Sequence, residues 1–334
     1  MGLFRYKDHK TQQLADALSK APVLSEEEKF QFADYDPSAG ERGGYSNYSY
    51  WGATIRVFLK NKVAVFFLCV IVATLLFTFL QPYLPGQKEA DVIYMDPITG
   101  QRATNIAPND EYIFGTNDIG QDMWSQIWAG TRTSLGIGFA VACVEALLGV
   151  LVGVLWGYVR KLDFFFTELY NIFDNVPQTL VLIIISYILR PGIGTMIFAM
   201  CLTSWLATAR FVRNQIVIIR DRDYNLASRC LGTGTGRIIG KNLLPYLVSI
   251  ITLRMALAIP AAIGNEVFIN YIGLGLPPKI PSLGNLIEAG RRIMMEPTLR
   301  YQLIFPVIIL SIVTISFYII GNSFADAADP KNHV

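Results

Sequence analysis

The chain has 334 residues, of which 52% are hydrophobic and only 16% are charged, and its net charge is +2. A soluble protein of this size carries roughly 25% charged residues, so the deficit indicates that lipid covers much of the surface. The small net charge gives no indication of nucleic-acid binding. Only two histidines are present, His9 and His333, and their terminal positions argue against a histidine metal site or a Ser-His triad.

An N-terminal tail, residues 1–55, precedes the first long apolar run. Its first fifty residues are polar and acidic, which does not fit a cleaved signal peptide. Ser25 and Glu28 fit a capping box that opens a short helix, with aromatic residues on both sides. The tail is therefore either an interfacial helix or partner-binding arm, or a loosely ordered terminus.

Six apolar runs approach the roughly 20 residues that a helix needs to cross a bilayer core. They comprise residues 63–80, 134–158, 163–189, 191–209, 245–272 and 301–325. The third run begins in an aromatic, partly charged stretch and contains Pro177, where we expect a kink. The sequence thus predicts an all-α membrane protein whose six transmembrane helices lie within residues 56–325.

Charge in the connections predicts the orientation of the bundle. Basic residues precede the first span and fill the second connection, and the fourth connection, residues 210–245, has seven basic and two acidic residues between Arg210 and Lys241. Six spans place these segments on one side, which the positive-inside rule makes cytoplasmic together with both termini, including the tail 326–334. The loop 81–131 is acidic and exterior. The loop 273–300 is also exterior by parity, although it is basic.

Small residues recur in the second span, where Gly149, Gly153 and Gly157 have a four-residue spacing. Glycines in this register let two helix backbones approach closely within lipid. Packing inside the bundle is favoured over a contact between subunits.

Three charged residues lie within predicted spans, namely Glu145, Arg254 and Glu266. Each costs about 2.5–3.5 kcal/mol at the bilayer centre, so each is expected to face a polar partner or a watery lumen. Two alternatives remain open. Arg254 and Glu266 lie near the ends of a long span and could reach the interface, and a hydrogen bond to a neighbouring helix would satisfy Glu145.

The glycine-rich segment from Gly232 to Lys241 does not form a nucleotide-binding P-loop. That motif needs a glycine, four residues, then Gly-Lys followed by serine or threonine. Here Thr235 occupies the first glycine position and Asn242 follows the lysine. We therefore expect no ATP hydrolysis by this route, and we interpret the glycines as a turn between two short helices.

Four blocks of sequence, read together, carry a family resemblance. The first contains Gly115, Thr116, Asp118, Gly120, Asp122, Ser125, Gly130, Arg132, Ser134 and Leu135. The second contains Trp205, Ala209, Arg210, Val212 and Arg213, followed by Arg222, Asp223 and Tyr224. The third contains Leu226, Ala227, Ser228, Gly232, Leu244 and Pro245. The fourth contains Gly273, Leu274, Gly275, Pro277, Pro278, Pro281, Ser282, Gly284 and Asn285, joined by Asp326, Ala327, Asp329, Pro330 and Lys331.

In this order, the blocks resemble the second permease subunit of ABC importers of the dipeptide, oligopeptide and nickel type. The third block is similar to the family's ATPase-coupling signature, Glu-Ala-Ala, three residues, Gly, then Leu-Pro. The chain departs from the pattern at Leu226, which replaces the glutamate, and at Gln121, where an arginine is usual.

The resemblance implies partners for each side of the membrane. Two cytoplasmic ATPase subunits would bind ATP and Mg, a homologous second permease would complete the path, and an extracytoplasmic binding protein would deliver peptide. The chain itself would bind no cofactor and catalyse nothing. The implied coupling residues are Arg222, Asp223, Tyr224, Leu226, Ala227, Ser228, Arg229, Cys230, Leu231, Gly232, Leu244 and Pro245. Binding-protein docking is expected at Asp118, Asp122, Arg291 and Arg292.

Two alternatives to a peptide importer remain. The same type of permease also carries nickel complexes or other small solutes. A secondary transporter or channel that works alone would need inverted repeats or a coupling-ion site, and the sequence indicates neither.

Overall fold

The computed structural model describes residues 50–96 and 100–328. The predicted capping box at Ser25 and Glu28 lies outside the described residues, as does the end of the fourth sequence block from Asp329 onward. The two interpretations of the N-terminal tail therefore stay predictions. Residues 50–55 of the tail form the start of the first helix.

Helices dominate the described ranges, which contain no strand beyond isolated bridges at Met95–Arg102 and Thr116–Asp122. The α-helices are α1 Tyr50–Lys60, α2 Lys62–Leu80, α3 Met123–Tyr158, α4 Arg160–Asp174, α5 Gln178–Ile188, α6 Ile193–Arg220, α7 Asp223–Cys230, α8 Thr235–Ile238, α9 Leu244–Tyr271, α10 Leu283–Ile293 and α11 Tyr301–Ala328. The predicted all-α class is confirmed.

Five of these helices, α2, α3, α6, α9 and α11, are long and apolar enough to cross a membrane. The pair α4 and α5 passes the same criterion together but bends by 75° at the break between them. Pro177 lies in this break and cannot continue the hydrogen-bond ladder of α4. Counting the bent pair as one span gives the six predicted spans, with the kink at the expected proline.

The second span extends beyond its predicted limits. Helix α3 has 36 residues and begins at Met123, eleven residues before the predicted start at residue 134. It is about 54 Å long, whereas the hydrocarbon core is about 30 Å thick, so it is longer than a perpendicular crossing requires. Its early polar residues Ser125, Gln126 and Thr131 are buried against other parts of the chain. Because these residues are polar, hydropathy alone does not predict that they belong to the helix.

Close packing between α3 and α6 explains the spaced glycines. A Cβ atom on Gly153 would lie 2.5 Å from the Ala209 carbonyl oxygen and 2.7 Å from Val212 Cβ. Gly149 and Gly157 meet Thr208 and Ile216 in the same way. The glycines therefore pack inside the chain, and the preferred interpretation is confirmed.

Helix α3 contributes to three hydrophobic clusters. One joins it to α5, α6 and α9, a second joins it to α2, α9 and α11, and a third joins it to α6 and the start of α9. The third cluster also contains Ile238 and Leu243 from the segment between α6 and α9. Helix α3 is thus the central element against which the functional segments are positioned.

Candidate functional site

The segment from Arg210 to Pro245, which we call the basic loop, contains the last turns of α6, two short helices with a sharp turn between them, and the first residues of α9. Helix α7 follows the end of α6 after two residues, and Gly232 then adopts a φ of +77°, a left-handed conformation that glycine accepts without strain. Helix α8 continues through a single π-helical turn into α9. The predicted helix–turn–helix arrangement is confirmed.

The inner side of the basic loop is fixed to the helix bundle. Ile238 and Leu243 are fully buried in the cluster formed with α3 and α6. Asn225 is 0% exposed; its Nδ2 donates to the Ile219 carbonyl oxygen at 2.9 Å, and its Oδ1 accepts from Asn242 Nδ2 at 3.0 Å. These bonds and buried contacts tie both arms of the loop to each other and to the end of α6.

A charge cluster holds the junction between α6 and α7. Asp221 lies 3.1 Å from Arg220 Nε, 3.5 Å from Arg160 Nη2 and 3.7 Å from Arg229 Nη1. Desolvation raises the pKa of Asp221, but the Arg220 hydrogen bond and the three positive charges together lower this pKa below its ordinary value. Part of the positive charge of the basic loop is therefore paired with Asp221 within the chain.

The outer side of the basic loop presents a mixed apolar and charged surface. Leu231 is 86% exposed, and Tyr224 and Leu226 are exposed beside it. Of the other predicted coupling residues, Arg222, Asp223, Ala227, Cys230, Gly232 and Pro245 are exposed, and Ser228, Arg229 and Leu244 are half-buried. Exposed apolar side chains on a rigid base, rimmed by charge, are typical of a protein-docking surface.

A polar cleft opens between α3, α5, α6 and α9 and has a volume of about 170 Å³. Its polar lining residues are Glu145, Gln178, Thr203, Ser204, Arg254 and Asn265. Thr203 Oγ1, Ser204 Oγ and Arg254 Nε are buried and have no hydrogen-bond partner within the described residues. Glu145 Oε1 accepts a hydrogen bond from Thr208 Oγ1. Two of the three predicted intramembrane charges, Glu145 and Arg254, thus line one cleft.

A second cleft of about 180 Å³ continues the polar cleft towards the bend between α4 and α5, with Gln178, Thr203 and Ala207 common to both. Asp174 lines it and lies 3.9 Å from Arg210 Nη1, whose guanidinium stacks on the Tyr170 ring. Residues 171–180 are exposed throughout, so the described part of the chain leaves this side of the bend uncovered.

Glu266 has a different environment from the other two charges. It is 0% exposed, and its Oε1 accepts from Asn270 Nδ2 at 2.9 Å. The backbone of α10 passes so close that a Cβ on Gly284 would lie 2.9 Å from this oxygen. The expectation of a polar partner is therefore confirmed for Glu266, whereas the lumen and the membrane interface are corrected, because its buried carboxylate lies between α9 and the start of α10.

A crevice of about 280 Å³ lies beside α10 at the opposite end from the basic loop, and we call it the α10 crevice. It brings Asp118 and Arg292, two of the predicted docking residues, to one surface. Arg291 bonds to Glu288 Oε2 at 2.9 Å and stacks on Tyr271. Asp122 is corrected to a structural role, because its buried carboxylate accepts from Ser125 N at 2.9 Å and caps α3.

Comparison with known families accounts for nearly the whole described chain. Residues 146–334 match the family model of the binding-protein-dependent transport system inner membrane component. Residues 49–108 match the N-terminal transmembrane domain of oligopeptide transport permease C. The chain belongs to this family of ABC transporter permeases. It is accordingly a multi-pass membrane protein.

Full-length relatives agree with the family models. The permease is 36% identical over 92% of its length to the oligopeptide transport system permease protein AmiD of Streptococcus pneumoniae, covering 98% of that protein. It is 32% identical to the dipeptide permease DppC of Bacillus subtilis, covering 81% of this chain and 83% of DppC. It is 31% identical to OppC of the same organism, covering 89% of this chain and 96% of OppC.

A solved structure supports the fold of the permease. A chain of the MetNI methionine ABC transporter in an inward-facing conformation superposes with a TM-score of 0.50 and 20% identity, covering 62% of this chain and 97% of that chain. At this identity the likeness bears on the fold alone.

The sequence does not predict several of the residues that line the permease's polar cleft. Gln178, Thr203, Ser204 and Asn265 are uncharged, so they were not picked out within apolar spans. The adjacent Thr203 and Ser204 could have been found by asking which hydroxyl groups interrupt an apolar run. Asn225 and Asn242 carry no comparable signal, because their pairing depends on the fold of the basic loop.

Proposed function

We propose that this permease is one of two homologous halves of an ATP-driven importer that admits oligopeptides or dipeptides. The observation that carries the proposal is the polar cleft, which opens on the same side of the bundle as the uncovered bend between α4 and α5. The peptide class is supported by three relatives whose names specify oligopeptide or dipeptide transport.

The chemistry of the polar cleft suits a peptide. Buried polar atoms without partners cost free energy, so Thr203 Oγ1, Ser204 Oγ and Arg254 Nε favour a ligand or water that pairs with them. A peptide backbone offers amide and carbonyl groups to the hydroxyls, and its carboxylate suits the guanidinium. A second permease that covers the exposed residues 171–180 would close the cleft into a path.

Energy would enter through the basic loop, on the cytoplasmic side with both termini. We propose that the exposed face around Tyr224, Leu226 and Leu231 docks on one of two ATPase subunits, which hold ATP and Mg. The buried contacts of Asn225 and Ile238 would convert movement of that subunit into a tilt of α3, α6 and α9. The permease would then contribute motion rather than catalysis.

Substrate would arrive at the opposite end of the molecule. We propose that an extracytoplasmic binding protein docks at the α10 crevice, where Asp118 and Arg292 offer charges of both signs. Asn270 of α9, whose Nδ2 donates to Glu266 Oε1 and to Ser282 Oγ at the start of α10, would transmit that contact to α9.

The substitution Gly232→Glu tests the role of the basic loop. The new side chain is bulky and anionic, and it occupies a position with a φ of +77° at the tip of the docking face. We expect uptake of radiolabelled peptide to be lost while the permease remains in the membrane. Excess unlabelled peptide should compete for uptake in the unmodified protein, whereas a nickel chelate should not.

The matched control is Gly86→Glu. Gly86 has a φ of +76° and, like Gly232, no neighbour within 4 Å of the point where a Cβ atom would lie, but it is at the other end of the molecule. The Gly86→Glu substitution should introduce similar backbone strain, and we expect this variant to retain peptide uptake. Full transport by the Gly232 variant, or equal loss in both variants, would contradict the assignment of the basic loop as the coupling surface.

A further inference from the structure

A fourth cavity, distinct from the two clefts and the α10 crevice, lies on the outside of the bundle and is almost wholly apolar. It has a volume of about 360 Å³, within the range of roughly 300–1,000 Å³ that is typical of ligand sites. We call it the Arg132 groove; it is lined by Leu75, Thr78, Phe79, Arg132, Leu135, Gly136, Phe139, Ile259 and Phe317.

The groove combines exposed aromatic side chains with buried aliphatic ones. Phe79 and Phe139 form exposed walls, 61% and 63% exposed, respectively. Leu135 and Ile259 are buried below them. Gly136 has open space where a side chain would be, since nothing lies within 4 Å of its Cβ position. Any larger residue at 136 would occupy the groove.

One positively charged side chain, Arg132, lines this apolar groove. Arg132 Nη1 donates to the Thr78 carbonyl oxygen at 2.6 Å, which fixes the guanidinium at the point where α2 approaches its end. Arg132 takes part in no ion pair among the described residues, although a guanidinium carries five N–H donors. The hydroxyl of Thr78, a fully buried residue of the same groove, also has no hydrogen-bond partner within the described ranges.

We propose that the Arg132 groove binds one membrane phospholipid, with its phosphate on Arg132 and an acyl chain between Phe79 and Phe139. A cationic head above an apolar trough matches an amphipathic anion, and guanidinium groups pair with phosphate through two parallel hydrogen bonds. The groove is formed by α2, α3, α9 and α11, whereas the polar cleft is formed by α3, α5, α6 and α9. Lipid in the groove therefore braces the bundle without entering the peptide path.

The test uses the permease purified with the subunits that accompany it, stripped of lipid and titrated during native mass spectrometry. Three probes separate the sources of binding: phosphatidylglycerol, a diacylglycerol with the same acyl chains, and inorganic phosphate. We expect one saturable phosphatidylglycerol molecule, binding of diacylglycerol at least about tenfold weaker, and no retention of inorganic phosphate. The factor corresponds to the loss of one charge-assisted hydrogen bond.

Three substitutions distinguish binding of the lipid phosphate from binding of its acyl chain. Arg132→Gln should abolish the preference for phosphatidylglycerol over diacylglycerol, and Arg132→Lys should retain part of it. Gly136→Leu should weaken both lipids, because its side chain fills the groove. Ser311→Leu is the control, since Ser311 is an exposed position of α11 that does not line the groove, and it should change neither affinity.

Three outcomes would overturn the proposal. Equal phosphatidylglycerol binding by all variants would mean annular lipid only. Retention of inorganic phosphate, lost in Arg132→Gln, would mean a simple anion site. A cross-link from a cysteine placed at Phe139 to a second permease would mean that the groove is a subunit interface.

Discussion

The contact between α3 and α6 supports both the basic loop and the polar cleft, and Gly153→Ala tests it with one methyl group. The added Cβ would lie 2.5 Å from the Ala209 carbonyl oxygen and 2.7 Å from Val212 Cβ. Neither atom is the free end of a flexible side chain, so relief requires the two helices to separate. Overpacking of this kind costs about 1–3 kcal/mol, and the helices must adjust along their shared length.

Thermal unfolding in a fixed detergent, followed by circular dichroism, measures this cost. Gly194→Ala is the control, because Gly194 lies in α6 with no neighbour near its Cβ position. We expect Gly153→Ala to lower the melting temperature and Gly194→Ala to leave it unchanged or raise it slightly. Equal melting temperatures for both variants would refute the close approach of α3 and α6.

Three further substitutions test individual contacts. Asn225→Ala removes the acceptor of Asn242 Nδ2 and one of two donors to the Ile219 carbonyl oxygen, which keeps its bond from Arg222 N, so it should cost about 1–3 kcal/mol and accelerate hydrogen exchange in the basic loop; unchanged exchange would contradict the clamp. Thr203→Val should slow peptide uptake roughly 2–10-fold at equal protein level, whereas Thr74→Val, which alters a hydroxyl on α2, should not. Asp122→Ala should destabilise the permease by about 0.5–2 kcal/mol through the lost cap of α3, yet leave the affinity for the binding protein unchanged in a direct binding assay.

The sequence predicts the membrane spans, the bend and the turn of the basic loop, because these depend on the lipid environment or on local backbone chemistry. Uninterrupted apolar runs predict spans because a bilayer penalises every unpaired polar group, and Pro177 predicts the bend because it lacks an N–H group. Gly232 predicts the turn in the basic loop for a similarly local reason. The spacing of Gly149, Gly153 and Gly157 predicts close helix contact, although it does not identify α6 as the partner.

The start of α3 and the roles of individual acidic residues depend on contacts between distant parts of the chain, so the sequence alone does not predict them. The first turns of α3 are polar, and only their burial against the polypeptide shows that Met123 rather than Ser134 begins the helix. Glu266 and Glu145 are both carboxylates within apolar runs, so the sequence does not distinguish them. In the structure Glu266 lies between α9 and the start of α10, whereas Glu145 lines the polar cleft. The capping role of Asp122 likewise depends on where α3 begins.

The unusual length of α3 has a mechanical consequence. Its upper turns contact the start of α10 through Gly130 and Ser134, and its lower end receives a hydrogen bond from Arg220 Nη1 at the Gly157 carbonyl oxygen. A rigid rod of about 54 Å that pivots by about 5° near its middle displaces each tip by roughly 2 Å, in opposite directions. Under the coupling proposed above, a push on the lower tip of α3 would displace its upper tip in the opposite direction, without any relay of rearranged side chains between them.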